Sequence, residues 1–263
     1  MILNSNCITA LILVSLIIVT TYNNGCKISP ENLSNQIEMK VKMPDSIQPR
    51  NIENQCVNSK CIVIIGASYV EGWNIHEIEN MTVVNKGVSG ETSGEMLNRF
   101  EQDVISLNPL AVIIWGCIND IFNANQEEIE FFLNNTKNNF IAMVKLARDN
   151  GIIPILTTEL TIRSRSNWSE TIANSIGKIL GRESYQDYIN KHVLSINKWI
   201  IEYARTQDIM LLDFHTTLSD EQGIRKKEYA VEDGSHISSQ GYEKLTDYTQ
   251  KLAGDYLSIS QRK

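Results

Sequence analysis

Nowhere in the sequence do Lys and Arg gather into a basic cluster or stripe, and the formal net charge is -7. That lack argues against a nucleic-acid partner, whose phosphates call for a concentrated positive face. Metal ligands are sparse as well. The 5 Cys and 4 His fall at no spacing that would close a zinc site. Internal repeats are missing, which sets repeat architectures aside. Charged side chains are missing altogether from the first 26 residues.

That uncharged start holds a nearly continuous apolar segment from Ile8 to Val19, interrupted only by Thr9 and Ser15. Its length suits the apolar region of a signal peptide better than a full membrane span, which needs about 20 residues. It shows no polar face, as a helix packed on a protein core would. Residues 1–26 therefore read as a signal peptide or N-terminal membrane anchor, and the expected location is outside the cytoplasm, in the periplasm or cell envelope. "NNGC", residues 23–26, resembles the end of a bacterial lipobox, although Asn23 stands where an aliphatic residue belongs. Lipidation at Cys26, simple cleavage and an uncleaved anchor all stay open. Residues 27–57 are rich in Asn, Ser, Gln, Pro and Glu without an apolar period, and read as a flexible tether. Cys56 and Cys61 bracket "VNSK" and could close a small disulfide loop in an oxidising compartment.

The remaining chain, residues 58–263, is long enough for one substantial core. Its pattern alternates. "CIVIIG", "TVVNKG", "LAVIIWG", "IIPILTT" and "IMLLDF" are apolar on consecutive positions and rich in β-branched residues, as buried strands are. Helical spacing runs through "GEMLNRFEQDVISL", through residues 127–150 and 185–206, and through "SSQGYEKLTDYTQKLAGDYL" at the end. Such alternation predicts right-handed crossovers and a parallel sheet covered by helices, with ligands bound beyond the carboxyl ends of the strands. The stretch Thr161–Arg182 breaks the pattern and reads as an insertion near the site, a candidate lid.

The residues just past each strand supply the chemistry. Ser68 follows the first, Gly90 the second, Asn119 the third, and Asp233 with His236 precede the last helix. A serine hydroxyl is a weak nucleophile until a base takes its proton. His236 is a candidate base, because imidazole titrates near neutrality. Asp233, three residues earlier, could hold the ring and stabilise its charged form. The Ser68 and Gly90 backbone amides and the Asn119 carboxamide are candidate donors to an oxyanion. Each residue also has an ordinary reading: Ser68 and Asn119-Asp120 as helix caps, Gly87 and Gly90 as turn residues, Asp233-Gly234 as a turn pair, His236 as a surface side chain. The ordinary readings fail jointly, since four separate loops would have to deliver these groups to one rim by accident. His215 is the reserve base, and His76 and His192 read as helix-surface positions. Tyr69 and Trp73 could wall the pocket or pack the core.

Taken in order, "IIGASYVEGW", "VVNKGVSGET", "IIWGCINDI" and "DGSHISSQGY" resemble the four blocks of the SGNH/GDSL hydrolase family over roughly residues 60–258. The resemblance implies a three-layer α/β/α fold with a mainly parallel five-stranded sheet. It also implies cofactor-free and metal-free cleavage of a carboxylic ester through an acyl-enzyme, on substrates ranging from lipids and aryl esters to acetylated sugars. Two positions depart from the family pattern. Ala67 replaces the usual Asp of the first block, and Cys117 replaces a usual Gly of the third. A buried inert thiol is the expected state of Cys117, which has no adjacent cation. These departures motivate an alternative to the exported serine esterase: a degenerate, non-catalytic ligand-binding domain.

Overall fold

The computed structural model describes Cys56, residues 61–163 and residues 183–260. The predicted leader, nearly all of the tether and most of the Thr161–Arg182 stretch lie outside the described residues.

The apolar runs become adjacent strands. In chain order these are β1 (Cys61–Gly66), β2 (Glu77–Ile78), β3 (Met81–Gly87), β4 (Ala111–Trp115), β5 (Ile153–Thr157) and β6 (Met210–Leu212). They lie in the order β2-β3-β1-β4-β5-β6. β1 and β4 are buried at every position, so both faces of each strand need apolar side chains and no alternation appears. Ile62, Ile64, Ile65, Ile113 and Ile114 are fully enclosed, each worth about 1.5–3 kcal/mol of burial.

The five predicted strands are all present and mutually parallel. The sheet nevertheless has six strands, not five. The extra one, β2, pairs antiparallel with β3 at the edge. It is joined to β3 by Glu79 and Asn80, whose φ values of 47 and 64 are the double left-handed turn that closes a two-residue hairpin.

Helices flank this sheet in a three-layer α/β/α arrangement. They are α1 (Ser68–Glu71), α2 (Ser93–Asn98), α3 (Phe100–Asp103), α4 (Ile118–Asn123), α5 (Ile129–Asp149), α6 (Tyr185–Thr206), α7 (Phe214–Leu218) and α8 (Ser239–Ser260). The single helix predicted through 94–107 is instead broken at Arg99. There the guanidinium turns inward to the Gly66 and Lys86 carbonyls and to the Glu91 and Asp103 carboxylates. Among the described residues, no helix is long and apolar enough to cross a membrane.

Two features of the strand ends position the site. The chain steps from β1 to β3 on one side and then crosses to β4 on the other. That reversal opens a crevice at the carboxyl end of β1, where ligands bind in sheets of this kind. Beyond β5 the Thr158 amide still donates to the Leu212 carbonyl of β6, and past it the chain leaves the sheet. Its backbone groups are met by two carboxamides of α6, two helical turns apart. Asn197 makes both a donor and an acceptor bond to the Glu159 backbone, and Asn190 does the same for Ile162. At the opposite end of the sheet, a disulfide joins Cys56 to Cys61, the first residue of β1.

Candidate functional site

The turn out of β1 depends on Gly66. A Cβ there would lie 2.0 Å from the Trp115 carbonyl oxygen and 2.3 Å from Val70 Cγ2, so no other residue lets α1 start this close to β4. Ala67, not Ser68, takes the N-cap position of α1, and it makes no side-chain cap bond. The capping role open to Ser68 is thereby excluded. Among the described residues, none exchanges a hydrogen bond with the Ser68 hydroxyl, and neither the Ser68 nor the Gly90 amide has an acceptor. Gly90 has φ 83 with open space where a Cβ would be, a conformation that favours glycine.

Asn119 lies in the first turn of α4, two positions past the cap, because Cys117 is the N-cap. Its Nδ2 donates to the Glu91 carbonyl at 2.8 Å, which occupies one of the two carboxamide hydrogens. The neighbouring Asp120 is buried and ties α4 to α2. Its carboxylate accepts from the Ser93 amide at 2.8 Å, the Ser93 hydroxyl at 2.5 Å and the Thr136 hydroxyl at 2.9 Å. Burial pushes this carboxyl up, against the pull of those donors.

His236 stands half exposed on the loop before α8. Its Nδ1 is 2.6 Å from Asp233 Oδ2, while Asp233 Oδ1 accepts the Ser235 and His236 amides at 2.7 and 2.9 Å. Partial burial alone would raise the Asp233 carboxyl. The His236 amide and ring, with the Ser235 amide and hydroxyl, outweigh it and hold the group well below the usual range. Gly234, at φ 76, completes the tight turn that folds the carboxylate back onto the ring three residues later.

Ser68, Gly90, Asn119 and His236 line a single cleft of about 270 Å³, with Tyr69, Ile118 and Phe122 as its apolar wall. Asp233 stands behind the imidazole. Tyr69 braces the two ends of the site. Its hydroxyl donates to the Ser235 carbonyl at 2.7 Å, and its own carbonyl accepts from Tyr242 of α8 at 3.0 Å. Burial pushes the phenol up to about 12, with the nearby Arg225 cation opposing. Arg225 is fully buried over the Tyr69 ring, 5.8 Å from its centroid. It donates to the Gly234 and Ser235 carbonyls, so the turn carrying His236 is fastened from below.

A family model, GDSL-like lipase/acylhydrolase, matches residues 65–244. The chain belongs to this family.

Solved structures agree. A GDSL-like lipase from Bacteroides thetaiotaomicron VPI-5482 is 25% identical, with 77% of this chain and 89% of that one covered at a TM-score of 0.57. Two further structures share the fold. The lipase/acylhydrolase from Enterococcus faecalis is 20% identical, with coverage of 75% and 96% and a TM-score of 0.54. An acetylxylan esterase from Geobacillus stearothermophilus, in a catalytic mutant, is 17% identical, with coverage of 74% and 94% and a TM-score of 0.50. Curated proteins yield no sequence match.

Against the GDSL pattern, the two departures are now placed. Ala67 is a buried cap position without a side-chain bond. Cys117 is buried behind the cleft rather than lining it. Burial first, then the Glu159 and Asp120 carboxylates, push its thiol well up, so it stays a neutral, unreactive group. The reserve base is not at the site. His215 turns its Nε2 to the Gly223 carbonyl at 2.9 Å, and Asp213 accepts from Thr158 and caps α7. His76 sits in the loop before β2, not on a helix, and His192 is buried on α6 rather than at its surface. Trp73 belongs to the core and donates to Thr246. Of the Thr161–Arg182 stretch, Thr161 and Ile162 are buried and Arg163 donates to the Arg225 carbonyl; the proposed lid itself lies outside the described residues. Glu159, Asn190, Asn197 and Arg225 are supporting residues that the motifs did not reveal.

Proposed function

We propose that this protein is an exported serine esterase that cleaves a carboxylic ester of a lipid, an aryl alcohol or an acetylated sugar through an acyl-enzyme on Ser68. The reading rests above all on one observation: an Asp-backed imidazole and an uncommitted serine hydroxyl line the same cleft. His236 takes the Ser68 proton as Oγ attacks the ester carbonyl, and Asp233 holds the ring and stabilises its charged form. The carbonyl oxygen becomes an oxyanion that takes hydrogen bonds from the Ser68 and Gly90 amides and the second Asn119 N–H. Collapse expels the alcohol, which receives the proton from His236. Water then repeats the sequence on the acyl-enzyme and frees the acid. The hydrogen bond from Ser68 to His236 forms when substrate binds, since such bonds are often long in empty sites.

Export draws support from the Cys56–Cys61 disulfide, which persists in oxidising compartments. The uncharged N-terminal segment would deliver the domain and, if retained, tether it to a membrane. The acetylated-sugar option draws support from the acetylxylan esterase that shares the fold.

The deciding experiment treats purified protein with a fluorophosphonate probe and with p-nitrophenyl acetate and butyrate. Wild type should label on Ser68 and turn over, and Ser68→Ala should do neither. Folded wild-type protein inert to both would replace the esterase with the non-catalytic binding domain.

A further inference from the structure

Behind the cleft lies a carboxylate that the reaction above does not use. Glu159 follows β5 by two residues and is 1% exposed. A charge buried so deeply is costly unless its oxygens are all engaged. They are. Oε2 accepts from the Cys117 and Ile118 amides at 2.9 and 3.2 Å, and Oε1 from the Leu160 amide at 2.9 Å. Burial still pushes its carboxyl up, with those amides pulling the other way. The residue is itself clamped, because Asn197 of α6 bonds both its backbone N–H at 2.7 Å and its carbonyl at 2.8 Å.

What Glu159 grips is the start of α4. The first amides of any helix lack intrahelical partners, and a Ser, Thr, Asp or Asn at the N-cap ordinarily meets one of them. Here the N-cap is Cys117, which makes no such bond, and sulfur is a weak acceptor. A carboxylate 42 positions later in the chain substitutes for the missing cap. The residue directly after the two gripped amides is Asn119. The one after that, Asp120, is anchored to Ser93 and Thr136. Asn119 is thus held between two buried acids, one reaching in from β5 and one reaching out to α2.

We propose that Glu159 is a positioning residue for the oxyanion site, fixing through the Cys117 and Ile118 amides the point from which the Asn119 carboxamide reaches the cleft. The proposal rests on the esterase reading above. Its contribution is geometric. A nearby negative charge would oppose a developing oxyanion, so an electrostatic role predicts that neutralising Glu159 speeds the reaction, and a positioning role predicts that it slows.

The test is a double-mutant cycle between Glu159→Gln and Asn119→Ala. Gln keeps one acceptor oxygen but presents N–H to an amide that needs an acceptor. Displacements near 1 Å can lower rates about 100-fold, so Glu159→Gln should reduce kcat about 10-fold or more while KM stays within about 2-fold. In the Asn119→Ala background the same change should cost almost nothing further, because the donor it positions is gone. An equal kcat loss in both backgrounds, an unchanged or raised kcat, or a loss confined to KM would overturn the proposal. Should Glu159→Gln fail to fold, Glu159→Asp, which withdraws the carboxylate by one methylene, enters the same cycle with the same criteria. If the wild type proves inert to ester and probe, the esterase reading fails by itself. Hydrogen exchange then decides: faster exchange confined to residues 117–123 in Glu159→Gln supports the positioning role, and unchanged exchange overturns it.

Discussion

Two carboxylates in different parts of the molecule each collect a pair of neighbouring backbone amides: Asp233 from Ser235 and His236, at 2.7 and 2.9 Å, and Glu159 from Cys117 and Ile118, at 2.9 and 3.2 Å. Their remaining oxygens part company. That of Asp233 faces an imidazole on a loop open to solvent, and that of Glu159 faces another amide inside the protein. The first carboxyl is held low and the second is pushed up. An acid that meets a titratable ring at the surface can answer the movement of a proton. One enclosed by amides can only hold the chain still. On the proposed reading, the same hydrogen-bonding pattern serves chemistry at the solvent-open carboxylate and architecture at the enclosed one.

The comparison breaks most visibly at Asp233→Asn. Asn keeps the oxygen that serves the two amides and alters only the group facing the ring, which favours the wrong imidazole tautomer. A fall in kcat of about 10³–10⁴ is expected; a loss under about tenfold on p-nitrophenyl acetate would place the two acids in one class. Glu159→Leu should act in the opposite sense, on stability first. Three buried N–H groups lose their acceptor, at about 1–3 kcal/mol each, so urea denaturation should show a loss of about 3–5 kcal/mol, within the range of broken buried networks.

The finest test is the pH dependence of stability. Asp233 has a folded pKa below its ordinary 3.8. Its contribution is present above that value and is lost as pH falls toward the folded one. Glu159 has a folded pKa above its ordinary 4.5, so its contribution is greatest below 4.5 and declines as pH rises. The stability difference between wild type and Asp233→Asn should grow with pH across the acid range, and that between wild type and Glu159→Gln should shrink. Parallel slopes from denaturation between pH 3 and 7 would end the contrast.

The residues proposed to carry the chemistry were the easiest to read in the sequence. Ser68, Gly90, Asn119, Asp233 and His236 stand in short motifs whose residue types have few other reasons to occur together at strand ends. The central strands were legible because β1, β4 and nearly all of β5 are buried on consecutive positions, which leaves an unbroken apolar run. β2 was not, since two residues carry no pattern. The break at Arg99 was hidden because neither Pro nor Gly marks it; distant carbonyls and carboxylates draw the side chain inward. Glu159 sits in "LTTELTIR", where an acid among threonines reads as a loop, and its partners are 42 residues away in sequence. Asn190 and Asn197 gave the one signal that could have been used, two carboxamides seven residues apart among the buried positions of α6.

The disulfide and Ser68 lie at opposite ends of β1, a strand whose six residues span about 20 Å. Any pull on the chain ahead of Cys56 enters the domain at Cys61 and runs along a strand bonded on both sides to parallel neighbours. Those bonds would share the load in shear instead of opening one after another. Under the proposed tether, a pull arriving at that end meets six residues of paired strand before it reaches Ser68, the proposed nucleophile.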